Sequence, residues 1–330
     1  MLKKFLKLFF LMGLAIVLVT GCYQPVINNS YYLNGKKQIS ECRKVQHILG
    51  ESCVPIKPQR IIVTDQESLE IVVALGFQPV GAVKANIVGS KERILAGRLK
   101  SITYLGKESQ PNLEKMVKLQ PDLILGLGID SQAYKLYSQI APTVTFDFNH
   151  AAWKKDLQLI AQALNKTEQA DQLLFQYQSK IKEIQKLLKN QLKNIDISVS
   201  RFYAGWNFTQ FQTPLSFSGS ILQEIGFAVP EKQKLLNEKN SDGTYVTVSK
   251  ESIELLDADI LFIALDPGSE KNYNKYRNNP LWQTLNVVKN HRVYTVDSGH
   301  WIFGSILSAN AILDDLLQIH DLSKSLKSKF

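Results

Sequence analysis

The sequence predicts an α/β protein of two Rossmann-like lobes, each built on a mainly parallel sheet, joined by one long inter-lobe helix. Three observations carry this reading. From Arg60 to about Asn149, short apolar runs alternate with amphipathic stretches. From Trp153 to Lys193 the apolar residues keep helical spacing and no strand pattern interrupts them. From Ile195 the strand–helix alternation resumes and runs to about Ile319. The strand runs are apolar at consecutive positions, as in parallel sheets covered by helices on both faces.

In order, the first lobe (residues 45–150) has strands at 61–64, 79–83, 102–106, 122–126 and 143–148, with helices at 67–75 and 112–119. The connecting region (151–193) is interrupted near Asn165-Lys166-Thr167. Beyond that point Leu173, Leu174, Tyr177, Ile181, Ile184, Leu188 and Leu192 mark one buried face. A helix of that extent spans on the order of 40 Å at about 1.5 Å per residue. The second lobe (194–330) has strands at 195–203, 259–265 and 292–297, and helices at 219–226, 250–256, 280–288 and 305–319.

Residues 1–21 stand apart from the fold. Lys3, Lys4 and Lys7 precede an apolar run from Leu8 to Val19, the layout of a secretory signal and too short to span a bilayer comfortably. The run ends in Leu18-Val19-Thr20-Gly21-Cys22, which resembles a bacterial lipobox. Cleavage there would leave Cys22 lipidated and the chain tethered on the periplasmic side of the inner membrane, without spanning it. Residues 22–44, rich in Asn, Gln, Ser, Tyr and Lys, read as a flexible tether. Cys42 and Cys53 lie close together in an exported chain, so a disulfide between them is expected. A metal site is the rival reading, with only His47 between them to assist.

Composition and motifs narrow the function. The formal charge of +9 falls to about +6 without the signal lysines, which favours anionic ligands without demanding nucleic acid. No basic block with interleaved aromatics occurs, so no nucleic-acid partner is expected. No G-x-G-x-x-G, P-loop, G-x-S-x-G or H-E-x-x-H is present, and the histidines at 47, 150, 291, 300 and 320 are scattered, so the chain is not read as an enzyme.

Specific phrases go further. Pro58-Gln-Arg-Ile-Ile-Val63, Ala74-Leu-Gly-Phe-Gln-Pro-Val-Gly81, Tyr104-Leu-Gly106, Pro111-Asn-Leu-Glu-Lys-Met-Val-Lys-Leu-Gln-Pro-Asp-Leu-Ile-Leu-Gly126 and Ile140-Ala-Pro142 occur in that order. They are followed by Phe217-Ser-Gly-Ser-Ile-Leu-Gln-Glu-Ile-Gly226, Val248-Ser-Lys-Glu-Ser-Ile-Glu-Leu-Leu-Asp-Ala-Asp-Ile-Leu261, Asn279-Pro-Leu-Trp282 and Arg292-Val-Tyr-Thr-Val-Asp297. From about Cys42 to the end, the chain resembles the siderophore and vitamin B12 group of periplasmic binding proteins. The resemblance implies a ligand cleft between the lobes, a ferric siderophore as ligand, an ABC permease as partner, and no cofactor, the iron being held by its chelator. Cobalamin and haem are the alternatives within the group.

Given that fold, ligand groups belong on loops at the carboxyl ends of strands. An anionic ferric chelate suits Arg201 and Lys84 as cations, with Tyr104, Tyr203, Trp206, Phe217 and Trp301 as walls. Aromatics at strand ends serve a core equally well, and His300 reads as structural or as a donor. The resemblance also implies that Glu114 and Glu251, one on each lobe, dock into arginine pockets of the permease. Both would lie in first helical turns, where a carboxylate also answers the helix dipole. The protein is expected to act as a monomer.

Overall fold

In a computed structural model, the described residues are 41–318 apart from 87, 90–91, 189–191, 193 and 240–242. The signal at 1–21, Cys22 and the tether up to residue 40 lie outside them. The chain begins with two strands, β1 (Cys42–His47) and β2 (Gly50–Pro55), paired as a two-stranded sheet. Strand β1 begins at Cys42, where order was expected to begin, and it is held against the rest of the fold. Arg43 donates to the carbonyls of Gln162 and Ala163 at 3.1 and 2.7 Å, and Ser52 Oγ donates to the Thr143 carbonyl at 2.6 Å. Cys42 and Cys53 are both disulfide-bonded.

The first lobe continues with β3 (Ile61–Val63), α1 (Gln66–Ala74), β4 (Gly81–Lys84), α2 (Glu92–Leu95), β5 (Thr103–Lys107) and β6 (Gln110–Pro111). It is completed by α3 (Leu113–Lys118), β7 (Leu123–Leu127), α4 (Ser131–Ser138) and β8 (Thr143–Phe146). The sheet order is β6-β5-β4-β3-β7-β8, parallel except at the β5/β6 edge. Every residue of β3, β7 and β8 is buried, which is why the sequence showed unbroken apolar runs at β3 and β7. The Ile48 amide donates to the Thr145 carbonyl, so the β1/β2 unit covers part of the β8 edge.

The connecting region is two helices, α5 (Trp153–Ala163) and α6 (Thr167–Leu188), separated where Asn165 takes a left-handed conformation (φ 56°). Helix α6 has 22 residues, roughly 33 Å at about 1.5 Å per residue. It buries Ala170, Tyr177, Ile181, Ile184 and Leu188, the face that the spacing predicted.

The second lobe comprises β9 (Ile197–Phe202), β10 (Thr209–Gln212), α7 (Phe217–Ile225), α8 (Glu231–Lys239), β11 (Tyr245–Val248), β12 (Ile260–Leu265) and α9 (Glu270–Arg277). Then come α10 (Asn286–Lys289), β13 (Val293–Asp297), α11 (Ser298–Trp301) and α12 (Ile306–Gln318). Strands β9, β12 and β13 are parallel, and β10 and β11 extend the sheet antiparallel beyond β9. Two expected helices shrink. Residues 250–256 form only a 3-10 turn at Ile253–Leu256, ended by extended Asp257. Residues 280–288 divide into a 3-10 turn (Pro280–Thr284) and α10, because Leu285 between them is extended. No helix of the described residues is long and apolar enough to cross a membrane.

The described residues from Arg43 to Gln318 form one compact unit containing the five- and six-stranded sheets. One apolar cluster runs through it from Val63 and Leu69 to Tyr177, Phe217, Phe262 and Leu313. Two carboxylates, Glu70 fully buried and Glu224 partly buried, tie its parts. Glu70 of α1 accepts from the Ser305 amide (2.9 Å), the Ser308 amide (2.8 Å) and the Ser308 hydroxyl (2.6 Å), so an anion from the first lobe sits at the amino terminus of α12. Glu224 of α7 accepts from Lys154, Tyr177 and Gln178, fastening α5 and α6 to the second lobe.

Replacing Glu70 by alanine strands the two amides that it caps. Glu70→Ala is expected to lower unfolding free energy by about 2–4 kcal/mol, read as a reduced urea midpoint at constant slope.

Candidate functional site

The carboxyl ends of β3, β4, β5 and β7 meet around a cavity of about 300 Å³, whose lining includes Thr64, Asp65, Asn86, Glu108, Asp130 and Phe148. Hydrogen bonds between strand ends hold this floor. Asp65 accepts from the Ser68 amide at 2.7 Å, capping α1, and from the Leu127 amide at 2.8 Å at the end of β7. The Gln66 amide donates to Glu108 beyond β5 at 2.9 Å. Gly126 is required here, since a Cβ would lie 1.9 Å from Thr64 Oγ1.

Behind the floor, Asp156 in the first turn of α5 is only 4% exposed. Burial, followed by the negative charge of Asp65, pushes its carboxyl up to about 7; Asp147 adds to this and Lys155 opposes it.

On the second lobe, Arg201 is the last residue but one of β9 and only 5% exposed. Its Nε donates to both oxygens of Asp266 (3.2 and 3.1 Å) and its Nη2 to Oδ2 (3.0 Å). A buried guanidinium needs such a partner, and Asp266 occupies the Nε–Nη2 edge of the fork. The guanidinium carbon lies 4.3 Å from the Tyr203 ring centre and 5.3 Å from that of Phe303. Phe303 stacks on His150 at 4.9 Å, and His150 meets Phe148 edge-on at 4.5 Å. Burial and then the charge of Arg201 hold His150 below its ordinary value, so this part of the wall favours a neutral imidazole. Trp206, 49% exposed, contacts Tyr203 and Phe208 at 5.8 and 4.7 Å between ring centres.

The predicted residues thus separate into three sets. Arg201, Tyr203 and Trp206 form one continuous cluster. Lys84, the last residue of β4, and Tyr104, the second residue of β5 and so not at that strand's carboxyl end as expected, form a second, with the Lys84 ammonium 4.5 Å from the centre of the Tyr104 ring. Phe217 and Trp301 belong to neither. Phe217 is 1% exposed and packs edge-on against Trp153; Trp301 is fully buried against Phe262 and donates its indole N–H to Asp315 at 2.8 Å. Both are core aromatics here, because the helix that Phe217 opens and the one that Trp301 ends turn these side chains inward. His300 is structural too, bonded to Asp315 at 2.7 Å.

Glu114 is 75% exposed, in the first turn of α3 and paired with Lys118. The Asn112 side chain caps that helix. Glu251 is exposed but precedes the 3-10 turn and is not in a helix; a hydrogen bond from Ser249 is the main cause that lowers its carboxyl. Sequence reasoning overlooked Phe148, His150 and Phe303. The first two directly follow β8, a strand end like those that were searched, so their position was the available signal. Among the described residues, no group of histidine, cysteine and acidic side chains could hold a metal ion.

Residues 61–299 match the family model for periplasmic binding proteins, and the chain belongs to that family. It is 33% identical over 326 residues to a probable siderophore-binding lipoprotein of Bacillus subtilis, covering 96% of this chain and 98% of that one. An Fe(3+)-citrate-binding protein of the same organism is 31% identical, with 96% and 97% covered. Among solved structures, Staphylococcus aureus SirA complexed with staphyloferrin B is similar with a TM-score of 0.73 and 30% identity, covering 84% of this chain and 97% of that one. The family and these relatives are binding proteins, not enzymes.

The raised Asp156 carboxyl sets a pH dependence. Its folded value of about 7 exceeds the ordinary 3.8, so its contribution to stability is fully present below the unfolded value and is lost as pH rises to the folded one. Asp156→Asn is therefore expected to match the parent protein near pH 4 and to melt at a higher temperature at pH 8. Thermal melts across that range check it, and an unchanged pH slope would count against the buried-carboxylate account.

Proposed function

We propose that this chain captures an anionic ferric siderophore of the carboxylate type, ferric citrate or a citrate-based chelate, between its lobes and delivers it to an ABC permease. One observation carries the reading: each lobe sets a cation near the end of a strand against an aromatic face, Lys84 on Tyr104 and Arg201 beneath Tyr203 and Phe303. A ferric carboxylate complex offers many oxygen lone pairs and net negative charge, and its organic arms suit aromatic walls. Ferric citrate, for which the Bacillus subtilis relative is named, has the same chemistry. Lipidation at Cys22 would keep the monomer on the outward face of the cytoplasmic membrane, and Glu114 and Glu251 would meet basic pockets of the permease.

Trp206 supplies a direct readout, because the other three tryptophans, Trp153, Trp282 and Trp301, are buried in the core. Titration with ferric citrate should quench fluorescence in the parent protein but not in Trp206→Phe. Lys84→Gln should weaken binding about tenfold. Tight cobalamin binding with no response to ferric citrate, a ferric citrate-based dihydroxamate or ferrichrome would overturn the reading.

Reversing charge at Glu114 and Glu251 together should abolish uptake by cells while leaving affinity for ferric citrate unchanged in purified protein. Normal uptake by that double variant would remove the docking role.

A further inference from the structure

Gly89, in the loop between β4 and α2 of the first lobe, lies against the turn that opens α11 in the second. Its amide donates to Ser298 Oγ at 3.0 Å. A side chain at this position would be excluded, since a Cβ would stand 2.8 Å from Asp297 Oδ1 and 2.9 Å from the Gly299 nitrogen. Ser298 is fully buried and stands beside Asp266, because β12 and β13 run parallel with Leu265 opposite Asp297, and its hydroxyl helps to hold the Asp266 carboxyl down. Asp266 grips Arg201 through Nε and Nη2, and Arg201 lies under Tyr203 and Phe303. Helix α11 is itself immobilised, since His300 and Trp301 both bond to Asp315 of α12. A buried series of contacts therefore runs from a backbone amide of one lobe to the aromatic wall of the other.

The geometry points to Ser298 and Asp266 as positioning residues for ligand capture, which fix the Arg201 guanidinium beneath its aromatic rings only while the Gly89 loop meets the second lobe. The inference rests on the cleft reading given above and adds to it how the two lobes share one binding surface. A counter-charge alone would not need this geometry. Asp266 cancels the charge that draws an anion in, so a pairing that served attraction would be self-defeating. What it supplies is orientation. With Nε and Nη2 engaged, the guanidinium plane is set, and the ring faces that rest on it are set with it. Ser298 fixes the carboxylate in the same way, and its own acceptor lone pair is what the first lobe addresses.

The two accounts of Asp266 predict opposite signs. Asp266→Asn adds one positive charge to the site. If Asp266 only balances charge, ferric citrate should bind more tightly. If it positions Arg201, binding should weaken by about tenfold or more. Calorimetric titration of the lipid-free mature chain with ferric citrate, after thermal melts to establish folding, measures this for Asp266→Asn, Ser298→Ala, Ser298→Thr and Arg201→Gln. The expected result is weaker binding in Asp266→Asn and Ser298→Ala, recovery in Ser298→Thr, and little further loss when the first two are combined. Should Asp266→Asn fail to fold, Ser298→Ala and its threonine rescue decide the matter alone. Unchanged or tighter binding in Ser298→Ala, beside a loss in Arg201→Gln, overturns the positioning role and leaves the cleft reading standing. Parent-like binding in Arg201→Gln overturns the cleft reading, and the positioning role with it.

Discussion

Glu70 sits where the first helix of one lobe meets the first turn of α12, and the relation between the lobes depends on it. A fully buried carboxylate that accepts two backbone amides and a hydroxyl is tolerable only if those donors are held in place. α12 is therefore fixed to α1. Because α12 is also bonded to α6 through Lys180 and Asp314, and α6 to α7 through Glu224, the chain's last described helix, its connecting helix and both lobes share one framework. The cleft loops inherit their spacing from it. Asp65 caps α1 while bonding Leu127, and Ser298 opens α11 while bonding Gly89, so the strand-end residues are set by the same helices that the two carboxylates fasten.

Where burial is complete on both faces, the architecture was readable from pattern alone. Ile61-Ile62-Val63 and Leu123 to Leu127 are apolar without alternation because nothing in a doubly covered sheet faces water. The buried face of α6 was equally plain, since Tyr177, Ile181, Ile184 and Leu188 can share one side only at helical spacing. What escaped notice was short or polar. The Thr209–Gln212 and Tyr245–Val248 strands hold four residues each and take their place from pairing with β9 and with one another. α8, Glu-Lys-Gln-Lys-Leu-Leu-Asn-Glu-Lys, has too weak an apolar stripe to stand out.

The site was legible by position more than by role. Strand-end reasoning reached Arg201, Tyr203 and Lys84 but misplaced Tyr104, which sits near the start of β5, and the cost of an unpaired buried arginine demanded a partner. It could not name Asp266, 65 residues further on, because the parallel register of β9 with β12 brings them together, Ala264 beside Arg201. The same limit explains Phe217 and Trp301. An aromatic at a strand–helix junction turns inward or outward according to the angle of the following helix, which one-dimensional spacing does not contain.

The apolar cluster that passes through both lobes bears on how the protein comes apart. Leu69 and Val72 of α1, Ile181 of α6, Ile221 of α7 and Ile312 of α12 lie in one contiguous core. Neither lobe can then shed its packing without exposing part of the other's. Unfolding of the main body is accordingly cooperative across both lobes, and a lesion in either one is felt by the whole.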